Sequence, residues 1–561
     1  MKKQRSPLLW ILETMGRVKI YVGVQVLIQF LLGGSSVLYA LLLRGIIDAA
    51  VAGSREDMLR SIFWLVGLVL AQILLRALNR FLQEFSASDM ENRFKKRLFA
   101  CLLRKDYASV TAVHSGEWMN RLTSDTRVVT KTVTNLLPNL VGMLVRLVGA
   151  LVAIIALEPV FAAVLIPGGL LLMLLTYSFR KVLKAMHKRI QEADGKVRIF
   201  MQEHLGSLLV VRSFGAEKRT EELAGERMTA HRRARMRRSN VGNACAMGMG
   251  LVIQCVYVGS AIYCSFGILH HTISYGTLLA ILQLVGQIQS PFAGLSGMVT
   301  EYYAMLASAE RLMEAENFPD EEGSPRPEAE IRSFYERDFT ELGLEDACFT
   351  YQPPTREEET PMPVVLEKLS LRIRKGEYVA FTGHSGSGKS TVLKLLMSIY
   401  PLDSGSRYLA SREGRQELDA SWRGLFAYVP QGNHLVSGSI REVVAFGDEE
   451  AMRREDELWR ALRIACAEDF VAALEKGLDS PLGEGGSGLS EGQMQRVAIA
   501  RAIFSGRPIL LLDEATSSLD AETEKRLLEN LRAMTDQTVV IVTHRPAALA
   551  ICDKRIELAG E

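Results

Sequence analysis

Six long apolar runs, joined by connections that alternate between short and long, constrain this chain more than any other feature. They fall near residues 20–43, 60–80, 136–157, 160–179, 246–269 and 276–299, and each offers about the 20 residues that a helix needs to cross a bilayer. The connections after the first, third and fifth runs are short: Asp48 to Asp57, Glu158-Pro159 and His270 to Ser274. Those after the second and fourth are long and basic, with RFKKR (Arg93 to Arg97), RKVLKAMHKR (Arg180 to Arg189) and HRRARMRR (His231 to Arg238). Basic loops stay on the cytoplasmic side, so the N-terminus, both long connections and the C-terminal half are expected in the cytoplasm, with the spans in the cell (inner or plasma) membrane. Burial of all six runs inside a large soluble protein would leave that consistent charge bias without a cause.

Apolar and charged residues are segregated along the chain. Hydrophobic residues make up 48% of the 561 and charged ones 23%; the apolar runs fill the first three hundred, and the rest reads as an ordinary α/β domain. The formal charge of +2 gives no reason to expect a nucleic-acid partner. None of the seven cysteines lies in a CxxC or Cys/His spacing, which favours packing over disulfides or zinc. The start, MKKQRSPLLWILETMGRVK, is basic and amphipathic without a small-residue cleavage site, and reads as a retained interfacial helix. The two long connections are themselves helical in pattern. They turn near His114 to Thr126 and Glu203 to Lys218, either as solvated tips or as docking surfaces for the soluble half. A Pro- and acid-rich stretch at 313–338 is expected to link a transmembrane domain (1–312) to the second domain (339–561). In the latter, GEYVAFTG, GLFAYVPQ, PILLLDE and QTVVIVTH alternate with helical runs, as in a parallel-type sheet with crossover helices.

GHSGSGKST (Gly383, His384, Ser385, Gly386, Ser387, Gly388, Lys389, Ser390, Thr391) follows the strand EYVAFT and precedes a helical run. Strand, glycine loop and helix in that order form a P-loop: backbone N–H groups turn inward around phosphate oxygens and the helix start adds its positive dipole end. Lys389 would reach the β- and γ-phosphates and Ser390 would ligate magnesium. The run ILLLDE (Ile509 to Glu514) delivers Asp513 to the carboxyl end of a buried strand, where ligands bind in open α/β sheets. There Asp513 would hold magnesium, and Glu514 could orient or deprotonate an attacking water.

With these motifs in place, the C-terminal half resembles the nucleotide-binding domain of the ATP-binding cassette transporters. LSEGQ (Leu489, Ser490, Glu491, Gly492, Gln493) is similar to the family signature LSGGQ, just upstream of the magnesium strand. The resemblance implies that Gln431 in YVPQG is the glutamine-loop residue and a further magnesium contact, and that Ser517, Ser518, Leu519 and Asp520 form the D-loop. It also implies that His544 in VIVTHR is the switch histidine and Tyr351 the residue stacked on adenine, with Phe349 close enough to compete. The six-span half resembles the exporter subclass. The fold so implied is a membrane α-helical domain of six transmembrane helices with long cytoplasmic extensions, plus an α/β P-loop NTPase domain with a helical subdomain. Two features depart from the family pattern: Glu491 replaces a glycine, and GEGG (Gly483 to Gly486) stands where an arginine often follows the glutamate.

A single domain of this kind holds ATP from one side only. The family solution is a head-to-tail dimer in which each signature covers the partner's γ-phosphate, so the chain reads as half a transporter, homodimeric by preference, with a heterodimer containing one weakened site as the alternative. The resemblance implies ATP-driven export of a drug, lipid or peptide by alternating access, with ATP and Mg2+ as cofactors and membrane lipid as surroundings. An importer or a regulated channel built on the same architecture is the other possibility. Gln25, Gln29, Arg146, Gln254, Gln283 and Gln287 are candidate cavity residues, because polar side chains within spans face protein or a water-filled space; interhelical hydrogen bonds would account for them equally well. A cavity-facing Arg146 would favour an anionic or zwitterionic solute. Like charges repel, so the Glu491 carboxylate is expected to turn away from phosphate, toward Gln495, Arg496 or the loop tips.

Overall fold

The computed structural model describes residues 6–321, 323–351, 363–432, 435–534 and 536–558. All of the acidic insert Pro353 to Pro363 except Pro363 lies outside them. Helix α1 (Pro7–Met15) buries Trp10, Ile11 and Met15 and exposes Leu8, Leu9 and Leu12, the division expected at a membrane interface. The Trp10 ring packs on Phe94, centroids 5.2 Å apart, with the Arg97 guanidinium 5.4 Å from it.

The apolar runs lie in α2 (Val18–Val51), α3 (Arg55–Leu102), α6 (Thr126–Leu157), α7 (Val160–Gly206), α9 (Glu217–Leu269) and α10 (Tyr275–Asn317). Short helices α4 (Tyr107–Thr111), α5 (Ser115–Asn120) and α8 (Leu208–Ser213) form the two hairpin tips, and a π-helical turn at Arg121–Asp125 leads into α6. Among the described residues, Val18–Val51, Arg55–Leu102, Ser115–Leu157 and Glu217–Leu269 are long and apolar enough to cross a membrane, and Tyr275–Ile288 is a shorter apolar helix. The run expected at 160–179 is helical; its side chains lie outside the described residues from 164 onward. With 53 residues, α9 is about 80 Å long at 1.5 Å per residue, far more than a bilayer core.

Small residues bring α2 and α6 together. A Cβ on Gly33 would sit 2.7 Å from Gly142 O, and one on Gly142 would sit 3.0 Å from Gln29 O, so the backbones approach as small-residue interfaces in lipid allow. Polar side chains tie α2 to its neighbours: Gln25 Nε2 donates to Ser86 Oγ (3.0 Å), Gln29 Nε2 to Asn139 Oδ1 (3.1 Å), Gln72 Nε2 to Ser35 Oγ (3.1 Å) and Gln287 Nε2 to Ser36 O (2.9 Å). Near the other end of α2, Asp48 binds the start of α10, accepting from Gly276 N–H (2.9 Å) and Ser274 Oγ (3.0 Å).

The chain divides into two compact units, Met1–Arg97 with Arg121–Met313, and Leu98–Asn120 with Glu314–Glu561. Both α3 and α10 are continuous across the division. The first hairpin tip therefore belongs to the second unit. Lys105 Nζ donates to the Glu316 and Phe318 carbonyls (3.1 and 2.8 Å), Trp118 stacks edge-on to Phe318 at 5.9 Å, and Tyr107 does the same on Tyr400 at 5.6 Å. The stretch expected as a linker begins inside α10 and contains a helix of its own, α11 (Glu328–Arg337). Glu328 and Glu330 lie in its first turn and Arg337 in its last, placements that suit the helix dipole. Tyr335 anchors it, sharing a 2.8 Å hydrogen bond with Thr538 Oγ1.

Two sheets follow. β1 (Phe339–Thr350), β2 (Val364–Arg374), β4 (Ser404–Ser411) and β5 (Gly414–Glu417) form an antiparallel sheet in the order β2-β1-β4-β5. β3 (Tyr378–Thr382), β6 (Phe426–Val429), β9 (Ile509–Asp513), β10 (Thr538–Val542) and β11 (Lys554–Glu557) form a parallel one, β11-β3-β10-β9-β6. Strands β3, β9 and β10 are buried at every position, as in a sheet covered on both faces. Helix α12 (Lys389–Leu396) follows β3 directly. A helical part comprises α13 (Ile440–Val444), α14 (Glu455–Ile464) and α15 (Glu468–Ala472), with a two-residue pairing of β7 (Gly438–Ser439) and β8 (Pro481–Leu482). Helix α16 (Glu491–Phe504) leads from it into β9; α17 (Ala521–Arg532) precedes β10 and α18 (Pro546–Ala550) precedes β11. In register, Val542 of β10 stands between Phe381 of β3 and Asp513 of β9, so three strand ends open side by side at one edge.

Candidate nucleotide site

At that edge β3 turns into the glycine loop. Gly383, Gly386 and Gly388 have φ of 139°, 87° and 83°, values that side chains disfavour. A Cβ on Gly383 would also strike Ser387 Oγ at 2.8 Å. Lys389 opens α12 and is 6% exposed; its ammonium curls back to donate to the Gly383 and His384 carbonyls (2.9 and 2.7 Å). Ser385 and Ser387 lie between the glycines, and Thr391 Oγ1 shares a 2.9 Å hydrogen bond with Tyr351 OH. That bond brings the expected adenine-stacking ring to the start of α12, where Phe349 packs edge-on against it at 4.9 Å. Tyr400 stands edge-on to Tyr351 at 5.4 Å. Burial, with Tyr351 and Tyr107 nearby, pushes its phenol up to about 12.

Asp513, 1% exposed, ends β9. Its Oδ1 accepts from Ser390 Oγ at 2.8 Å and its Oδ2 from Tyr428 OH at 3.1 Å. Burial raises its carboxyl above the usual range, while the two hydroxyls act in the opposite sense. Tyr428 is a residue the motifs did not reveal: it lies on the neighbouring strand β6, and its phenol is held strongly protonated by burial and by Asp513. The next residue, Glu514, has φ 52°, a left-handed conformation unusual for a long side chain and often found at functional positions. Gln431 Nε2 donates to Glu514 Oε2 at 2.9 Å. His544 is exposed beyond the carboxyl end of β10, the strand next to β3, with Thr543 N–H donating to Phe381 O at 3.3 Å.

The side chains fit a magnesium-bound nucleoside triphosphate. Ser387 Oγ is buried without a hydrogen-bond partner among the described residues, where a phosphate oxygen would satisfy it. Ser390 and Asp513 present adjacent hard oxygens, the donor type that magnesium prefers.

The signature residues follow a short turn at Glu484–Gly486 and open α16, a different element from the glycine loop and α12. Ser490 caps α16. Its Oγ accepts from Gln493 N–H (3.3 Å) while Gln493 Oε1 accepts from Ser490 N–H (2.9 Å), a reciprocal capping box. Glu491 is exposed and pairs with neither of the two side chains expected to attract it. Gln495 is turned to Ser517 and Ser518, and Arg496 to the Gly492 and Cys466 carbonyls and the Phe470 ring. The D-loop runs from Glu514, whose carbonyl accepts from Ser517 N–H (3.1 Å), to Asp520, which caps α17 by accepting from Thr523 N–H (2.9 Å); Leu519 is buried between them.

In the membrane half the candidate cavity residues separate into classes. Gln25, Gln29 and Gln287 hold neighbouring helices, as above. Gln254 and Gln283 are exposed. Arg146 is half-buried, and its Nε has no partner among the described residues.

Comparison with known proteins agrees with both halves. Residues 22–292 match the family model described as ABC transporter transmembrane region, and residues 366–517 the one described as ABC transporter. Mouse (Mus musculus) "ATP-binding cassette sub-family B member 10, mitochondrial" is 32% identical over 475 residues, covering 83% of this chain and 64% of that protein. An "ATP-dependent lipid A-core flippase" of Aliivibrio fischeri is 25% identical over 523 residues, covering 91% of this chain and 86% of that one. The chain spans about half to two thirds of the length of several curated relatives it matches, among them the mouse protein. A structure titled as a bacterial Atm1-family ABC exporter with ATP bound superposes with TM-score 0.77 at 23% identity, covering 96% of this chain and 93% of that chain; the likeness is one of fold.

Proposed function

We propose that this chain, which belongs to the ABC transporter family, works as half of an ATP-driven exporter of amphipathic or hydrophobic solutes in the cell membrane. The observation that carries the reading is the meeting, at one edge of the parallel sheet, of Lys389, Ser390, Asp513, Gln431 and Glu514. The glycine loop and Lys389 would bind the phosphates. Ser390, Asp513 and Gln431 would hold magnesium, which when bound supplies positive charge against the phosphate oxygens. Gln431 holds the Glu514 carboxylate through its amide, and Glu514 would accept a proton from the attacking water. His544 follows the neighbouring strand β10 and would contact the same phosphate group.

A second copy of the chain is the proposed partner. Ser490 and the N–H groups opening α16 form an anion site with no phosphate-binding loop of their own chain beside it. The second hairpin tip also leaves Leu209 and Phe214 each 82% exposed, apolar surface that a partner would cover. ATP would draw the two cassettes together and hydrolysis would release them, switching the membrane halves between inward- and outward-facing forms. The unpaired Nε of Arg146 favours a solute carrying an anionic or zwitterionic group, since an intramembrane guanidinium needs a counter-charge. Pairing with a different chain, giving one weakened site, is favoured by the exposed Glu491 at the start of α16 and by GEGG (Gly483 to Gly486) before it.

The test is purification of the chain alone into lipid vesicles. ATPase activity that is lost with Lys389→Ala, and is stimulated by particular lipids, drugs or peptides, supports the homodimeric exporter. Activity that appears only on addition of another half-transporter supports the mixed dimer, and ionic current that outlasts hydrolysis would overturn export in favour of a channel.

A further inference from the structure

The D-loop is gripped from both sides by side chains that the nucleotide site does not use. Gln495, 3% exposed, stands one turn into α16. Its Nε2 donates to Ser517 Oγ (2.9 Å) and Ser518 Oγ (3.3 Å), and its Oε1 accepts from Ser518 N–H (3.0 Å). On the other side is Arg545, next after His544. It donates from Nη2 to Ser517 O (3.0 Å) and from Nη1 to Leu519 O (2.9 Å) and Glu524 Oε2 (2.8 Å). Glu524 is 4% exposed and Arg545 is half-buried, so the anchor is a charge-assisted pair with its acid out of water. The backbones of the two motifs also touch: a Cβ on Gly492 would lie 2.7 Å from Ser518 O. The one glycine of this signature is thus required by the D-loop as well as by any phosphate.

We propose that Gln495 and Arg545 are positioning residues that fasten the signature helix, the D-loop and the end of β10 into one body. Engagement of the partner's nucleotide by Ser490 then sets Glu514 and His544 of the same chain. One amide that satisfies three groups at once cannot keep them if the loop slides, and buried groups left unpaired are costly. The D-loop in turn cannot move without Glu514, whose carbonyl accepts from Ser517 N–H. Each chain's hydrolysis is thereby made conditional on the other chain's bound nucleotide. The inference rests on the head-to-tail dimer proposed above.

The experiment uses the full chain in lipid vesicles and reads ATPase rate against ATP concentration, with binding of a fluorescent ATP analogue as a second readout. Three variants are compared with wild type: Gln495→Met, the double variant Arg545→Met/Glu524→Gln, which leaves no lone buried charge, and Gln495→Glu. The first two are expected to reduce kcat by about ten-fold or more and to bring the Hill coefficient to about 1, with analogue affinity within about two-fold of wild type. Gln495→Glu keeps the acceptor for Ser518 N–H and lets both serine hydroxyls donate, so it is expected to restore cooperativity. Retention of wild-type kcat and Hill coefficient in both disrupted variants overturns the proposal. So does parallel loss of affinity and thermal stability, which marks a merely structural role. A wild type without cooperativity, or with activity indifferent to Lys389→Ala, overturns the dimeric reading itself.

Discussion

At the scale of single residues, the site depends on a few groups whose chemistry is separable. Glu514→Gln keeps the size and the contact with Gln431 but cannot accept a proton. Phosphate release is expected to fall by about 100-fold or more while ATP still binds; turnover near the wild-type rate would remove Glu514 from the role of base. Tyr428→Phe deletes one of the two donors to the buried Asp513. The magnesium concentration giving half-maximal ATPase is expected to shift by a few-fold, with affinity for metal-free nucleotide unchanged. The glycine loop and the acid pair were legible in the sequence because each is a local arrangement, set by neighbours in the chain. Tyr428 was not, since its partner lies 85 positions away and only the β6–β9 pairing brings them together. The strained φ of Glu514 likewise has no local signature: the preceding strand gives no hint of a left-handed turn. For Glu491, charge repulsion gave a reason to turn away from phosphate, but the side chains named as attractors were already engaged elsewhere.

At the scale of elements, the helices of the membrane half were readable from apolar length and charge bias, and the buried parallel strands from unbroken runs of Val, Ile and Leu. The antiparallel sheet was not. β1 and β4 interrupt their apolar residues with polar pairs such as Glu345-Asp346 and Ser406-Arg407, and such part-exposed strands produce no continuous apolar signal. The linker also concealed α11, because the prolines and acids that suggest a coil are here the residues preceding and opening a helix. Contact between elements gives two tests. Gly142→Leu would put a branched side chain against the Gln29 backbone and force α2 from α6; reduced detergent-resistant folding is expected, with a cost of about 1–3 kcal/mol typical of overpacking. Tyr107→Ala removes the ring of the first hairpin tip that meets Tyr400. Stimulation of ATPase by transported solute is expected to weaken, while basal hydrolysis stays within about two-fold of wild type.

At the scale of the whole molecule, the exposed second hairpin tip predicts an interface. Leu209→Ser with Phe214→Ser is expected to leave each chain folded yet lower ATP-dependent pairing, read by cross-linking or by mass in detergent, by about ten-fold or more. Compact units are ordinarily joined by pliant, polar segments. Here the division at Arg97/Leu98 and at Met313/Glu314 passes through the interiors of α3 and α10. A hydrogen-bonded helix resists twisting as a rod does, so each of these two crossings is a stiff shaft of backbone where a pliant segment is ordinarily found. Glycines at 313 and 314 would put a universal joint in one of those shafts: the motor would keep running and the load would stop moving with it, a drop in solute carried per ATP consumed that no change at the nucleotide site could imitate.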